Sequence, residues 1–416
     1  MKRYDSYKDS GVQWIGEIPS HWEAIKTSHI YSNIGSGTTP PSSNPNYYTE
    51  DGDGLSWLQT GDLNDGDIVS TSKQVTQLAV KECNLKFFPI DSVVIAMYGA
   101  TIGKVGLLKI MTATNQACCV LPNSKRIFPK YSFYLYQTAK SPMLVQAMGG
   151  GQPNISQDII KKLHIPVPPL EEQKAIAEWL DAKCGEIDKL IATQQRRIEL
   201  LQELRQSIIT RAVTRGINPN APLRDSGIDW IGQIPAHWEI KKMRFLCKME
   251  TGTRDTINKV DDGEYPFYVR SPKIERINTY SFDGEAVLMA GDGVGAGKVI
   301  HYANGKFDYH QRVYNFHDYK EVKTLFAYYY LLSNFRYKIE EGGAKNTVDS
   351  VRLPWLKDFP ICIPPKSEQN EILYYIERET AKVDHALQQA ERQIELLQEL
   401  RQSVITEVVT GKRKVC

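Results

Sequence analysis

Nowhere among the 416 residues does an apolar run approach the ~18 needed to cross a bilayer, so no membrane span is expected. The opening MKRYDSYKDSG has no apolar stretch to act as a signal peptide, which points to the cytoplasm. The seven cysteines, Cys83, Cys118, Cys119, Cys184, Cys247, Cys362 and Cys416, are odd in number and contain no Cys-x-x-Cys pair. Neither a disulfide framework nor a zinc knuckle follows. The eight histidines form no HExxH or other ligand-spaced cluster, and no metal site is expected. Charge of one sign is also missing. A net charge of +2 neither argues for a polyanionic partner nor excludes one, so any basic surface must be local.

Cofactor signatures are incomplete. GDGVGAGKV at 291–299 invites a P-loop reading, but Asp292 stands at the first glycine position and Val299 where a hydroxyl would hold magnesium. The dinucleotide fingerprint fails as well, because Ala296 replaces its third glycine. A turn that brings backbone amides or Lys298 to a phosphate, or a plain turn between strands, suits the stretch better. The Asn/Asp-Pro-Pro-Tyr/Phe tetrapeptide of adenine methyltransferases is absent. Asn44-Pro45-Asn46-Tyr47 lacks its second proline. No cofactor is expected to be bound by this chain.

Repetition is what the chain has in abundance. IELLQELRQS occurs at 198–207 and again, identical, at 394–403. DSGVQWIGEIPSHWE at 9–23 returns as DSGIDWIGQIPAHWE at 225–239, and IPVPPLEEQ at 165–173 returns as ICIPPKSEQ at 361–369. The chain is two copies of one unit. Trp14, Trp22, Trp230 and Trp238, with His21 and His237, belong to this repeated frame and are expected to pack or cap. Between the repeats, residues 24–164 and 240–360 are rich in Gly, Asn, Ser, Thr and Tyr, with short β-type runs such as SVVIAMYG and EAVLMAGD. Both carry a Gly-Lys, at Gly103-Lys104 and Gly297-Lys298, and a glutamine about thirteen residues later, at Gln116 and Gln311.

After Pro168-Pro169 the chain runs 44 residues without proline, acidic at its start and with Arg211 and Arg215 before Gly216, which is helix start and stop chemistry. Ile176, Leu180, Ile187, Leu190, Leu201, Leu204 and Ile208 follow three-and-four spacings and predict a coiled-coil seam. The same register in the second copy gives Ile372, Ile376, Val383, Ala386, Leu397, Leu400 and Val404. Such a helix is ~65 Å long, too long for one adjacent domain to cover, and two of them are expected to pack on one another.

The order DSGVxWIGxIPxHWE, variable domain, IPxPPLEEQ and a helix ending LLQELRQSIIT, run twice, closely resembles the specificity subunit of Type I restriction-modification enzymes. The likeness covers essentially the whole chain. It implies an α/β (α+β) fold with internal pseudo-two-fold symmetry. Two loop-rich target recognition domains, at 1–165 and 216–365, would be separated by helices, at 166–215 and 366–416, that form an antiparallel coiled coil. Each domain would read one half of a split double-stranded DNA site. Two methyltransferase (modification) subunits would dock on the helices, and endonuclease-translocase (restriction) subunits would add to them. Catalysis, S-adenosylmethionine, ATP and magnesium would belong to those partners, which makes this chain a non-catalytic targeting subunit. By the repeat, the second helix ends beside the start of the first domain, so the termini should be neighbours.

Reading a base edge in the major groove requires side chains that pair two atoms at once, chiefly Arg or Lys with guanine and Asn or Gln with adenine. Loops flanking Gly-rich turns supply such candidates. In the first domain they are Thr38, Gln59, Thr60, Tyr98, Lys104, Asn115, Gln116, Gln152 and Asn154. In the second they are Arg254, Tyr268, Arg270, Ser271, Lys273, Lys298, Gln311, Arg312, Lys345 and Asn346. Two rival readings stand beside this one: a coiled-coil scaffold whose domains bind proteins, and a specificity subunit of a system that methylates without cutting.

Overall fold

Each variable domain begins and ends on one two-stranded ribbon. In the computed structural model, which describes residues 3–50, 52–147, 153–341 and 350–415, Glu23–Lys26 pairs antiparallel with His164–Val167, Lys26 lying opposite His164. Glu239–Lys242 pairs with Pro360–Ile363 in the same way. The chain therefore leaves each domain where it entered. Pro168-Pro169 and Pro364-Pro365 follow the exit strands, and because proline cannot donate to a ladder the strand stops there. Helices Leu170–Arg215 and Lys366–Val409 start at once, with Glu171, Glu172 and Glu368 in their first turns, where the helix dipole favours negative charge.

Inside the first domain lie two five-stranded sheets. One runs Gly35–Ser36, Cys118–Leu121, Val93–Ala96, Val105–Leu108, Gly66–Ile68; the other runs Tyr48–Thr49, Lys73–Val75, Leu55–Leu58, Thr112–Thr114, Phe87–Phe88. Val93–Ala96, Val105–Leu108 and Cys118–Leu121 are buried at every position, which is why they read as apolar runs and not as alternation. In the second domain longer strands merge the arrangement into one six-stranded sheet, Lys248–Thr251, Val313–His317, Phe282–Ala290, Ile300–Tyr309, Tyr265–Tyr268, Glu275–Ile277. A helix packs with each core, Pro129–Thr138 in the first domain and Thr324–Glu341 in the second. Six cysteines are free, and burial pushes the Cys119 and Cys247 thiols up to about 12. They serve packing.

The chain divides into two units, Met1–Thr193 with Gln393–Cys416, and Gln194–Arg392, so each long helix gives one half to each unit. Within the first unit Asp188 pairs with Arg401 at 3.0 Å, and Arg413 lies 5.0 Å from the ring of Trp179. Within the second, Arg205 pairs with Asp384 at 2.8 Å, and the Glu368 carboxylate lies beside Gly216. In both, the partner number falls as the residue number rises, so the halves run antiparallel. The two ion pairs are one pair repeated at an interval of 196 residues.

The seam differs from the expected one in phase. Ile176, Leu180, Ile187, Ile372, Ile376, Val383 and Val404 are buried, and Leu201, Ile208, Ala386 and Leu397 are half-buried, but Leu190, Leu204 and Leu400 are 52%, 49% and 48% exposed. The covered positions instead run Cys184, Ile187, Ile191, Gln194, Ile198, Leu201, Arg205, Ile208. Two three-and-four alternations share Ile187, Gln194, Leu201 and Ile208, and leucine content favours the wrong one. Arginine decides the phase. Its aliphatic stem covers apolar surface while its head reaches the opposing aspartate. Exposed pairs of this kind contribute only ~0–1 kcal/mol, so their effect is on register more than on stability.

The repeated frame is a set of repeated bonds. Gln173, fully buried, accepts from Phe128 N at 2.7 Å and donates to the carbonyls of Arg126 and Pro168. Gln369 accepts from Lys323 N at 2.8 Å and donates to the carbonyls of Glu321 and Pro364. His21 meets Glu172 at 2.8 Å and His237 meets Glu368 at 2.7 Å. Trp22 and Trp238 are buried, each against the left-handed glycine that ends a long helix, Gly411 (φ 74°) and Gly216 (φ 71°) respectively.

The termini are neighbours. Lys414 Nζ lies 5.7 Å from the ring centre of Tyr4, and Lys412 donates to the Glu17 carbonyl. A chain joined from its last residue to its first through a short linker and opened in the exposed stretch Asn218–Asn220 is therefore expected to fold, with a melting temperature within a few degrees of the parent, and to recognise the parental site. Thermal melting and methylation mapping would check this; an insoluble or unassembled permutant would count against the pairing of the ends.

Candidate nucleic-acid interface

The Gly-Lys turns are the same structure built twice. In the first domain Gly99 and Gly103 are left-handed (φ 85° and 75°), Gly103 N donates to Ala96 O at 2.8 Å and Lys104 N to Thr101 O at 2.9 Å. In the second, Gly293 and Gly297 are left-handed (φ 75° and 65°), Gly297 N donates to Ala290 O at 2.8 Å and Lys298 N to Gly295 O at 3.0 Å. Glycine takes that conformation at no steric cost, which explains the shared residues.

Neighbouring loops join each turn by matching main-chain bonds. Met97 N donates to Ala117 O and Gly291 N to Arg312 O, each at 2.8 Å. Ile155 N donates to Met97 O and Val351 N to Gly291 O, again at 2.8 Å. Asn115 N donates to Leu58 O and His310 N to Tyr268 O, at 2.9 Å. Gly37 lies so close to Thr114 O, and Gly252 to Tyr309 O, that neither has room for a side chain. Even the loop cap is shared in role and not in chemistry: Ala117 N donates to Asn115 Oδ1 at 3.2 Å, Arg312 N to His310 Nδ1 at 2.9 Å. Burial, reinforced by the Arg270 charge, holds His310 below the usual histidine range and keeps Nδ1 free to accept. These bonds gather the same loops at one edge of each domain. What differs is the side chains they present.

In the first domain Thr38, Gln116 and Asn154 are exposed on these loops, Tyr98 is 36% exposed, and Gln59, Thr60 and Lys104 are half-covered. The Thr38 carbonyl accepts from Trp57 Nε1, and Asp62 caps the Gln59 turn at 2.8 Å. Asn115 spends its oxygen on the loop cap. Gln152, Lys345 and Asn346 lie outside the described residues. In the second domain Arg270, Arg312, Gln311, Lys273 and Lys298 are exposed, while Arg254 and Ser271 are half-covered. Ser271 Oγ donates to the Lys273 carbonyl, and Lys273 pairs with Glu275 at 3.3 Å. Tyr268 is misplaced among base-contacting candidates: its ring is 7% exposed and packs edge-on against Phe307. As the last residue of a strand it serves the core.

Carboxylates that the sequence reading did not single out stand behind the donors. Asp308 is fully buried and accepts from Thr279 Oγ1 and Ser281 Oγ at 2.8 Å, Tyr309 N at 3.0 Å and Arg254 Nε at 3.3 Å. Asp255 accepts from Gln311 Nε2 at 2.7 Å. Asp292 holds both Arg270, at 3.0 Å, and Arg312, at 3.3 Å. A concavity of about 420 Å³ lies at this point, lined by Thr251, Asp292, Gln311, Arg312, Tyr314 and Ser350. The arrangement presents oriented hydrogen-bond donors. Among the described residues no group of three His, Cys, Asp or Glu side chains is placed to hold a metal ion, and no helix is long and apolar enough to cross a membrane.

The chain is similar to known proteins over both halves. The family model of the Type I restriction modification DNA specificity domain matches residues 19–202 and 235–396. The Type I restriction enzyme EcoDI specificity subunit of Escherichia coli is 32% identical over 44% of this chain, a match that spans only 40% of that subunit. The putative Type I restriction enzyme MjaX specificity subunit of Methanocaldococcus jannaschii is 24% identical over 96% of both chains. A solved structure described as the structural basis underlying complex assembly and conformational transition of the type I R-M system matches with a TM-score of 0.69 at 16% identity, covering 94% of this chain and 98% of that one, a likeness of fold. With two successive matches to that model together spanning most of its length, the chain belongs to the family of Type I restriction-modification DNA specificity subunits.

Proposed function

We propose that each domain reads one half of a split double-stranded DNA site and that the long helices dock two copies of one methyltransferase subunit, with restriction subunits adding to these. The observation that carries the reading is the loop scaffold built twice on matching main-chain bonds and dressed with different side chains. Equal scaffolds with unequal faces suit equal partners and an asymmetric target. The helices support the docking half. Seam positions Ile198, Leu201 and Arg205 account for part of the repeated decapeptide, yet all ten positions are identical in the two copies. Leu200 and Leu204, one turn apart, are 48% and 49% exposed; Leu396 and Leu400 are 47% and 48% exposed. The seam does not need these leucines, and a partner does. We place the assembly in the cytoplasm and assign S-adenosylmethionine, ATP and magnesium to the partners, so that this chain targets and does not catalyse.

Phosphate contacts release counterions, so duplex affinity is expected to fall about a thousand-fold or more between ~50 and ~200 mM salt. Coexpression with the methyltransferase should place methylation at one split sequence across a genome. Duplex binding that ignores salt and sequence, with no methylated site, would favour the protein-binding scaffold.

A further inference from the structure

The second domain holds a group of side chains that the shared scaffold does not require. Main-chain equivalence places Thr60, Tyr98 and Ala117 of the first domain where the second has Arg270, Asp292 and Arg312, because Leu58, Met97 and Ala117 make the bonds that Tyr268, Gly291 and Arg312 make. The first domain builds the same loops with no charge at these positions. The charged trio therefore answers a demand other than folding.

Its geometry is directional. Asp292, with a side chain only 18% exposed, sits on the Gly-rich turn and takes Nη1 of Arg270 on one oxygen and Nη1 of Arg312 on the other, while the arginines are 45% and 63% exposed. Among the described residues no other side-chain hydrogen bond or ion pair engages either guanidinium. One carboxylate against two guanidiniums leaves a unit of positive charge and holds two like charges close together, a poor device for stability. What it does supply is orientation. Each planar guanidinium is engaged at Nη1 and keeps Nε and Nη2 as further donors, and arginine uses two such N–H groups to bond O6 and N7 of guanine.

We propose that Arg270 and Arg312 read guanine in the half-site of the second domain and that Asp292 is the positioning residue that aims them. This rests on the reading of the chain as a DNA specificity subunit. The first domain, with Thr60, Tyr98 and Ala117 at the same places, reads its half-site without a guanidinium there.

The test is genome-wide methylation mapping in cells carrying the full chain, or a variant, with its methyltransferase partner, together with thermal melting of each purified variant. Arg312→Ala and Arg270→Ala are expected each to relax one G·C position of the second half-site, by roughly 5- to 150-fold in discrimination. Asp292→Asn, which keeps the shape and removes the charge, should relax both positions at an unchanged melting temperature. The first half-site and the gap should stay as in the parent. A second half-site lacking G·C pairs, or arginine variants that keep the parental preference, would overturn the proposal while leaving the specificity-subunit reading intact. Asp292→Asn that melts lower but keeps both preferences would make Asp292 a structural residue and overturn its positioning role. Absence of any site-specific methylation by the parent would overturn the underlying reading itself.

Discussion

Replacing residues 24–164 with the corresponding domain of a relative is expected to change one half of the methylated sequence completely and leave the other half and the gap unaltered. The structure explains why such an exchange would be tolerated. Both junctions fall in the ribbon Glu23–Lys26 with His164–Val167, where the entering and leaving strands are already bonded to each other. Below it lies the frame that the new domain must meet: Trp22, the His21 bond to Glu172, and Gln173. A relative whose loop supplies a main-chain N–H at the place of Phe128 would restore the Gln173 bond, because that contact depends on backbone and not on side-chain identity. Mapping the methylated motif of the hybrid checks the expectation. A change in both halves would mean that the two domains do not read independently.

How much of this was legible depends on where identity is demanded. The repeated frame could be found because its contacts are made by particular side chains: the buried glutamines bond main-chain groups, the histidines meet glutamates, and the tryptophans pack against the glycines that end the long helices. The helices were legible for the same reason, although their phase was not, since leucine at 190, 204 and 400 outweighs arginine at 205 and 401 on any hydrophobic scale. The recognition domains hid their kinship because it is carried by main-chain bonds, to which side chains are indifferent. Asn115 and His310 cap the same turn with an amide oxygen and an imidazole nitrogen, a substitution that no comparison of residue types would align with confidence of role. Asp292 and Asp308 carry no signal of base pairing in the sequence, because a carboxylate only accepts. Carboxylates matter here one step back, behind the donors they orient.

The close approach of Gly37 to Thr114 and of Gly252 to Tyr309 makes the other large effect. A Cβ on Gly37 would stand 1.8 Å from the Thr114 carbonyl oxygen, and one on Gly252 would stand 2.0 Å from that of Tyr309. Neither obstacle is the end of a flexible side chain. Tyr309 is held by the parallel pairing of Tyr268 with it and by its own N–H to the buried Asp308, so its carbonyl has little freedom to retreat. Alanine at 252 should then push the Gly252 loop, and with it Arg254, off the edge where the other loops meet. Overpacking against backbone is expected to cost about 3 kcal/mol, which lowers the melting temperature by about 6 to 12 °C for a unit of this size. Methylation should fall with it, because a split site needs both halves read. Gly61 supplies the control: it lies near the same loops of the first domain with nothing within 4 Å of an added Cβ, so Gly61→Ala should melt like the parent while Gly37→Ala does not. Equal melting of Gly37→Ala and Gly61→Ala would show that the loops at this edge can part, and that the scaffold is looser than its main-chain bonds imply.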